Sequence, residues 1–192
     1  MYIKEDVVKG VQEIRWNYDD GICLKLDREV FGWERDIYLL CVYMGSNTST
    51  REGVNIDMNC YDMLEEQLSV LSEKGGIIVV GDMNSRTVEK QECLVVSESD
   101  LCSERVLDVP ELQLIPPMNH VITEEDLVHN GMSVKRVNSD KGSNEYTTRL
   151  INLTTAADMI FLNGRAGSDE GVGRKTFFGH RGVTAIDYVI NM

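Results

Sequence analysis

An acid and an amide stand two residues apart, directly after an apolar run of this sequence. The run from Ile77 to Val80 consists of β-branched residues bounded by glycines, which predicts a strand buried on both faces. Because side chains at i and i+2 point the same way from an extended backbone, Asp82 and Asn84 are expected to emerge side by side. Strand ends that open into loops are a common place for chemistry, although an Asx turn that closes the strand would use the same residues.

A further acid lies inside an apolar run near the end of the sequence. The residues from Thr184 to Ile190 predict another strand, in which Asp187 is the one acid. A carboxylate among apolar neighbours is costly unless it is paired, solvated or hydrogen-bonded. Asp187 is therefore either a buried acid that backbone donors satisfy or a group that takes part in chemistry.

The two acids belong to the motifs Gly81-Asp82-Met83-Asn84 and Ile186-Asp187-Tyr188, which together resemble those of the endonuclease/exonuclease/phosphatase family. This family includes exonuclease III-like AP endonucleases, DNase I and the endonuclease domains of LINE-type retrotransposons. The resemblance covers nearly the whole chain, and the segment between the motifs is most similar to the retrotransposon branch. That closer similarity rests on Arg136, Asp140 and Asn144, then on 161–165 (Phe-Leu-Asn-Gly-Arg) and 175–177 (Lys-Thr-Phe).

The resemblance implies a fold and a set of catalytic roles. The fold would be an α/β four-layer sandwich, in which two packed mixed β-sheets are flanked by helices as in DNase I. Asp82 would orient or deprotonate the attacking water, and Asn84 would hydrogen-bond a phosphate oxygen. Asp187 would hold and polarise a catalytic histidine.

Two further residues match positions that have roles in the family. Tyr43, in Val42-Tyr43-Met44, stands where the family places a phosphate-contacting tyrosine, although Gly45 replaces the proline that usually follows. Thr176 resembles a substrate-binding threonine that lines the cleft in the retrotransposon branch. The implied reaction is Mg²⁺- or Mn²⁺-dependent hydrolysis of phosphodiesters in DNA, with RNA as the alternative. The parent element would fuse this domain to a reverse transcriptase.

The resemblance also predicts that the family's domain extends beyond both ends of this sequence. The metal-binding glutamate would lie upstream of Met1, and the catalytic histidine would lie after Met192. We therefore expect residues 1–192 to form a single partial domain that is inactive by itself. The alternative left open is a catalytically dead remnant that acts, if at all, as a non-enzymatic interaction domain.

The chain is strongly acidic, with a net charge of −13. Such a charge argues against nucleic acid as a partner, because phosphate binding favours a basic surface. Residues 98–126, however, hold eight acids, one base and all three prolines, so they carry −7 of the total and leave −6 on the rest. This composition predicts an acidic, proline-containing surface insertion in loop conformation, which need not border a substrate cleft.

The cysteines and apolar runs bear on where the protein acts. The five cysteines form no CxxC pair, and their odd number predicts reduced, unpaired thiols. No apolar run approaches the roughly 18 residues that a membrane span needs, and the opening Met-Tyr-Ile-Lys-Glu-Asp does not match a signal peptide. These features predict an intracellular protein, nuclear or cytoplasmic, with no membrane partner and no disulfide partner.

A glycine-rich segment from Gly167 to Thr176 offers a different interpretation, a nucleotide-binding phosphate loop. Such a loop needs a helix N-terminus directly after it. Here the next residues, Phe177 and Phe178, predict a strand instead, and an arginine interrupts the expected Gly-Lys pair. The segment is therefore expected to be an ordinary hairpin loop.

Hydrophobic periodicity predicts a mixture of strands and helices. A helix is predicted over 57–74, because one apolar stripe recurs at Tyr61, Leu64, Leu68 and Leu71. A second helix is predicted over 143–157. Strands are predicted at 22–26, 36–44, 77–80, 159–162, 176–178 and 185–190, with an extended segment over 1–9. Together these elements indicate an α/β sandwich of packed sheets.

Overall fold

A computed structural model describes residues 4–5, 7–16, 18–45, 56–97, 121–179 and 182–191. Within these ranges the chain is a mixed α/β structure built on one six-stranded mixed sheet and two two-stranded ladders. The α/β class expected from the sequence is therefore confirmed at this level.

The strands in chain order are β1 (Val11–Ile14), β2 (Gly21–Leu26), β3 (Ile37–Tyr43), β4 (Gly76–Asp82), β5 (Leu94–Val96), β6 (Val121–Thr123), β7 (Ile160–Phe161), β8 (Phe177–Gly179), β9 (Gly182–Thr184) and β10 (Asp187–Asn191). The large sheet has the order β1-β2-β3-β4-β10-β7. Its β3 and β4 run parallel, and its other neighbours pair antiparallel. The two small ladders pair β5 with β6 and β8 with β9.

The helices are α1 (Arg28–Phe31), α2 (Ile56–Ser72), α3 (Glu124–His129) and α4 (Tyr146–Ala156), with 3-10 turns at Val8–Gly10 and Gly167–Asp169. α2 and α4 pack on one face of the large sheet and form the main core with it. That core includes alternate residues of the central strands, such as Leu40 and Val79, because successive strand side chains face opposite ways. The predicted apolar stripe of α2 is buried there: Tyr61, Leu64, Leu68 and Leu71.

A smaller apolar cluster lies on the opposite face of the sheet. Neighbouring residues of β7 point to opposite faces, so Phe161 enters the main core while Ile160 joins Leu127 of α3 in the smaller cluster. Half-buried side chains of β5 and β6, Val95 and Ile122, pack against this cluster. The β5–β6 ladder and α3 therefore cover the β7 side of this face.

A glycine allows the two parallel strands to lie as close together as they do. Gly81 has a φ of +138°, which side chains rarely adopt, and a Cβ built on it would lie 1.9 Å from the Val42 carbonyl oxygen. A side chain at this position would push β3 away from β4. This close contact explains why a glycine directly precedes Asp82.

The predicted strands and helices are present, with ends that differ by a few residues. The extended segment predicted over 1–9 is an exception. Its described residues form a turn and the beginning of a 3-10 helix, because the Lys4 carbonyl accepts the N–H groups of Val7 and Val8, each at 3.1 Å. Local hydrogen bonding therefore prevails over the β-branched composition of this segment.

The predicted insertion over 98–126 needs a correction at its end. Residues 98–120 lie outside the described ranges, but 121–126 form β6 and the first turn of α3 rather than a loop. The Thr123 hydroxyl caps the helix by accepting the Asp126 N–H at 3.0 Å. The three acids that indicated a solvated loop stand in the first helical turn, where the helix dipole favours negative charge.

No helix in the described part of the chain is long and apolar enough to cross a bilayer. No disulfide joins the cysteines within those ranges, which are Cys23, Cys41, Cys60 and Cys93. Burial raises the pKa of the Cys23 thiol to about 11, so this side chain stays protonated and packs as an apolar group.

We expect Leu64→Ala to destabilise the fold by about 2–5 kcal/mol, because it leaves a cavity where α2 meets the sheet. Val70 lies on the same helix but is exposed, so Val70→Ala is the matched control and should change stability by less than about 0.5 kcal/mol. Urea unfolding followed by circular dichroism measures both. Equal losses in the two variants would contradict the assigned packing of α2.

Candidate active site

Three residues singled out in the sequence lie side by side at one end of the large sheet. Tyr43 pairs with Asp82 across β3 and β4, and Asp82 pairs with Asp187 across β4 and β10. Residues that pair directly place their side chains on the same face of a sheet. The structure therefore brings a phenol and two carboxylates, far apart in sequence, to one surface.

Asp82 and Asp187 are like charges directly opposite each other. Met83 donates its N–H to the Ile186 carbonyl at 2.9 Å, so the neighbouring 82–187 pair is of the non-hydrogen-bonded type, in which opposite side chains lie closest. Burial raises the pKa of Asp82, the N–H of Asn84 opposes that shift, and the charge of Asp187 adds to it. Two carboxylates in this arrangement repel each other unless a proton or a cation offsets their charge.

Asn84 forms a tight turn directly after β4. Its backbone N–H donates to the Asp82 carboxylate at 2.8 Å, and its φ of +47° is one that asparagine tolerates. Its side-chain amide donates to the Met44 carbonyl, which leaves one N–H of that amide for a ligand. The Asx turn considered from the sequence is therefore present, and it still leaves a donor beside Asp82.

Two side chains hold the backbone around the start of β10. The Thr176 hydroxyl accepts the N–H groups of Ile186 and Asp187, at 3.2 and 3.1 Å. The Asp140 carboxylate accepts the Ala185 N–H with both oxygens, at 3.2 and 3.1 Å. Thr176, which the resemblance implies to be substrate-binding, thus contacts the backbone of the site, while its hydroxyl proton is left to donate.

Asn144 fastens the Asn84 turn to the N-terminal end of α4. Its side-chain amide donates to the Asn84 carbonyl, and its side-chain oxygen accepts the Arg86 N–H at 3.1 Å. The Thr147 hydroxyl of α4 also donates to the Arg86 carbonyl at 2.8 Å. These contacts explain why an asparagine stands just before this helix.

A buried tyrosine links the same turn to β10, a link that the sequence analysis missed. The Tyr188 hydroxyl lies 2.8 Å from the Ala185 carbonyl and 3.0 Å from the Ser85 carbonyl. It also accepts the Thr87 N–H at 3.2 Å. In the sequence Tyr188 is one more aromatic residue of an apolar strand, so its position gives no signal of this polar role.

A fully buried carboxylate lies deeper in the same region. Glu92 is placed between two buried arginines, 3.2 Å from Arg165 Nη2 and 3.7 Å from Arg136 Nε. Its Oε1 also accepts the Phe161 N–H at 3.1 Å. Arginine suits this setting because its planar fork stays charged when buried and serves several acceptors at once.

Four exposed basic residues lie within two positions, in the sequence, of residues that form the site, although the chain is acidic: Arg86, Lys141, Arg174 and Lys175. Within the described ranges, none of these four forms an ion pair. They flank Asn84, Asp140 and Thr176 in the sequence, which are residues that bond the backbone or carboxylates of the site. We call this set the basic rim.

A shallow depression of about 370 Å³ adjoins the site on the sheet. Ile22, Cys41 and Val80 contribute apolar surface to it. Asp20 also lines it, as does Tyr43, which pairs with Asp82. The depression thus joins an apolar surface to the polar end of the sheet.

The donor atoms of the site decide which metal it could hold. The described residues include no group of three or more histidine, cysteine, aspartate or glutamate side chains placed to bind a metal ion. Mg²⁺, however, is commonly held by one or two carboxylates together with waters and substrate phosphates. The paired carboxylates of Asp82 and Asp187 fit that requirement for Mg²⁺ or Mn²⁺.

The glycine-rich segment considered as a phosphate loop binds its own backbone instead. The Asp169 carboxylate accepts the N–H groups of Gly164 and Arg174, at 2.8 and 2.7 Å. β8 follows the segment at Phe177, where a phosphate loop needs a helix. These contacts argue against a phosphate loop. The predicted hairpin loop is wrong as well, because the segment joins β7 to β8, and these strands pair with β10 and β9 rather than with each other.

Neither a comparison with protein-family models nor a comparison with curated proteins gives a match for this chain. The geometry of the site and the motifs that occupy it therefore point to its function.

Asp187→Asn should raise stability at pH 7, measured without divalent cations, by up to about 1 kcal/mol, because it removes the repulsion opposite Asp82. A raised folded pKa means that the folded state binds the Asp82 proton more tightly, so wild-type stability falls as pH rises through that pKa. This fall should shrink in Asp187→Asn. Asp62→Asn, at an exposed position of α2, is the control, and a loss of stability in Asp187→Asn would contradict the assigned repulsion.

Proposed function

We propose that this chain carries the catalytic centre of a metal-dependent phosphodiesterase of the endonuclease/exonuclease/phosphatase type. The observation that carries the proposal is the row formed by Tyr43, Asp82 and Asp187 at adjoining strand positions. Two acids with a purely structural role would be expected to have basic or hydrogen-bonding partners that offset their charge. Here two close carboxylates lie together on one partly open surface, as is common at functional sites.

The proposed mechanism assigns each group a limited task. A divalent cation bound at the acids would stabilise the charge that develops on the phosphoryl oxygens. Asp82, whose pKa is raised by burial, orients the attacking water and accepts its proton. The free N–H of the Asn84 amide and the hydroxyl of Tyr43, a side chain 52% exposed, donate to phosphate oxygens.

Asp187 has a different neighbour in this structure from the one that the family resemblance assigns to it. The family resemblance assigns it to orienting a histidine, and no hydrogen bond among the described residues joins it to an imidazole. Its position opposite Asp82 supports a task in holding the cation and in setting the proton affinity of Asp82.

The surroundings of the site support nucleic acid as the substrate. The basic rim supplies charges suited to phosphates on either side of a scissile bond. Phe177 and Phe178, in the hairpin that leads into β10, are 48% and 74% exposed and could stack on bases or contact sugars. We accordingly propose DNA as the partner, with RNA as the alternative, and an origin in a LINE-type element that also encodes a reverse transcriptase.

The finer fold that we propose is the DNase I-like sandwich, incomplete within the described residues. Helices cover one face of the large sheet, and a small ladder with its own apolar cluster lies on part of the other. A second sheet packed on that face would complete the four layers.

Nicking of supercoiled plasmid with Mg²⁺ tests the proposed reaction. The assay compares this chain, and the same chain lengthened at both ends by its flanking coding sequence, each with Asp82→Asn and the control Asp62→Asn. In whichever form of the chain nicks the plasmid, we expect the nicking to depend on Mg²⁺, to fall about 100-fold or more in Asp82→Asn and to be unchanged in Asp62→Asn. Nicking that survives Asp82→Asn would overturn the role of Asp82. Nicking in neither form would favour the non-catalytic remnant.

Salt dependence of DNA binding tests the basic rim separately. Neutralising two rim residues in Arg86→Gln/Lys141→Gln should reduce the slope of log K against log salt by about 2, at about one phosphate contact each. Lys9→Gln/Lys74→Gln makes the same change of charge at exposed residues near the opposite end of the sheet, and it should leave the slope unchanged. Equal effects of the two double variants would show that only total charge matters.

A further inference from the structure

The buried side chain of Arg136 contacts the loop that follows the Asn84 turn. Its guanidinium donates to the Thr87 hydroxyl at 2.9 Å and to the carbonyls of Val88 and Lys90, at 2.9 and 2.7 Å. The same guanidinium lies over the Phe161 ring, with Cζ 4.6 Å from the ring centroid. Arg136 is 1% exposed, so these contacts are made out of solvent.

The loop that Arg136 holds is strained. Val88 has a φ of +48°, a conformation that is costly for a β-branched residue and persists only where the surroundings enforce it. Arg136 donates two of its three hydrogen bonds to this part of the chain, at the carbonyls of Val88 and Lys90. The guanidinium is therefore placed to enforce the strained conformation.

The hydroxyls of Thr87 and Tyr188 connect the Arg136 guanidinium to the site through hydrogen bonds. The Thr87 hydroxyl accepts from Arg136 and from the Asn138 amide, at 2.9 and 3.2 Å, which uses both of its lone pairs. Its own proton is then donated to the Tyr188 hydroxyl, 3.2 Å away. The single hydroxyl proton of Tyr188 is in turn shared between the carbonyls of Ala185 and Ser85, 2.8 and 3.0 Å away.

We propose that Arg136 is a positioning residue that fixes the Asn84 turn against the start of β10 through the hydroxyls of Thr87 and Tyr188. This series of hydrogen bonds ends at two carbonyls, that of Ser85, one residue after Asn84, and that of Ala185, two residues before Asp187. Each bond polarises the next, so the series is stiffer than its separate parts. The proposal rests on the proposed function only in calling the positioned groups catalytic.

Arg165 provides a matched control for the role of Arg136. It is equally buried and shares Glu92, but its other bonds go to the carbonyls of Ser133 and Val134 and to the Gln91 side chain. Lysine at either position keeps the charge and loses the planar fork. Arg136→Lys and Arg165→Lys should therefore both lose stability, while only Arg136→Lys loosens the site.

Native-state hydrogen exchange separates positioning from a general structural role. In Arg136→Lys we expect protection of the Asn84, Arg86 and Thr87 amides to fall about tenfold or more beyond the fall seen for central amides of β4. In Arg165→Lys the protection of those three amides should fall only as much as the protection of the central β4 amides. Equal behaviour of the two variants, with protection lost uniformly, would overturn the proposal.

Substitutions at Thr87 keep the test decisive if Arg136→Lys does not fold. Thr87→Val preserves the shape but removes the oxygen, so it should show the same selective loss of protection. Thr87→Ser restores the hydroxyl and should behave like the wild type. Uniform protection in Thr87→Val, or selective loss in Thr87→Ser, would count against the donor series.

Activity adds a readout that distinguishes this proposal from the proposed function. In whichever form of the chain nicks DNA, Arg136→Lys should lower kcat at least about tenfold with KM changed less than about twofold, and Arg165→Lys should change neither beyond twofold. Selective exchange together with nicking that survives Asp82→Asn would support positioning and overturn the proposed reaction. Uniform loss of protection together with nicking that depends on Asp82 would support the proposed reaction and overturn the positioning role of Arg136.

Discussion

The geometry of the site depends on the close pairing of β4 with its two neighbours. Ladder hydrogen bonds fix the register of a strand, and a shift of one residue would turn every side chain to the other face. The register found here places Tyr43 and Asp187 on either side of Asp82. Gly81 is part of this constraint, because any side chain at that position would strike the Val42 carbonyl and part the strands.

The register of the strands brings together the carboxylates of Asp82 and Asp187, which repel each other. Two carboxylates opposite each other lower the stability of a sheet, and burial of Asp82 adds a further cost to its charged form. The main core supplies the stability that tolerates this arrangement, through α2 and α4 on the far face. A site with unfavourable charges on a firmly packed strand end is a common feature of catalytic centres, where activity and stability conflict.

Sequence reasoning could predict the elements of this fold because their periodicity is strong. The stripe of α2 and the apolar run of β4 each follow one period over enough residues to be unambiguous. The positions of Asp82 and Asn84 at the end of β4 followed from the same pattern, whereas Asp187, expected inside its strand, is the first residue of β10. The start of α3 could not be predicted in this way, because the acids of its first turn have the composition of a solvated loop.

The polar interior of the site was beyond prediction for a different reason. Thr87 and Glu92 lie in the loop between β4 and β5, whereas Tyr188 lies far along the chain in β10. Thr87 contacts Tyr188, and Arg136 links Thr87 to Glu92. Pattern analysis detects residues that repeat along one element, whereas this network joins residues from different elements. Arg136 was singled out by the family resemblance, but its role follows only from the contacts of its guanidinium.

A buried arginine pair around one glutamate is a costly way to fill a core. Apolar side chains of equal volume often give equal or greater stability, so the cost needs another explanation. Apolar packing has no directional preference and could not by itself hold Val88 at a positive φ or orient the Tyr188 hydroxyl. Directed hydrogen bonds can do both, because a guanidinium fixes the angle as well as the distance of each acceptor. The network around Glu92 therefore exchanges stability for a defined shape in the loop that follows Asn84.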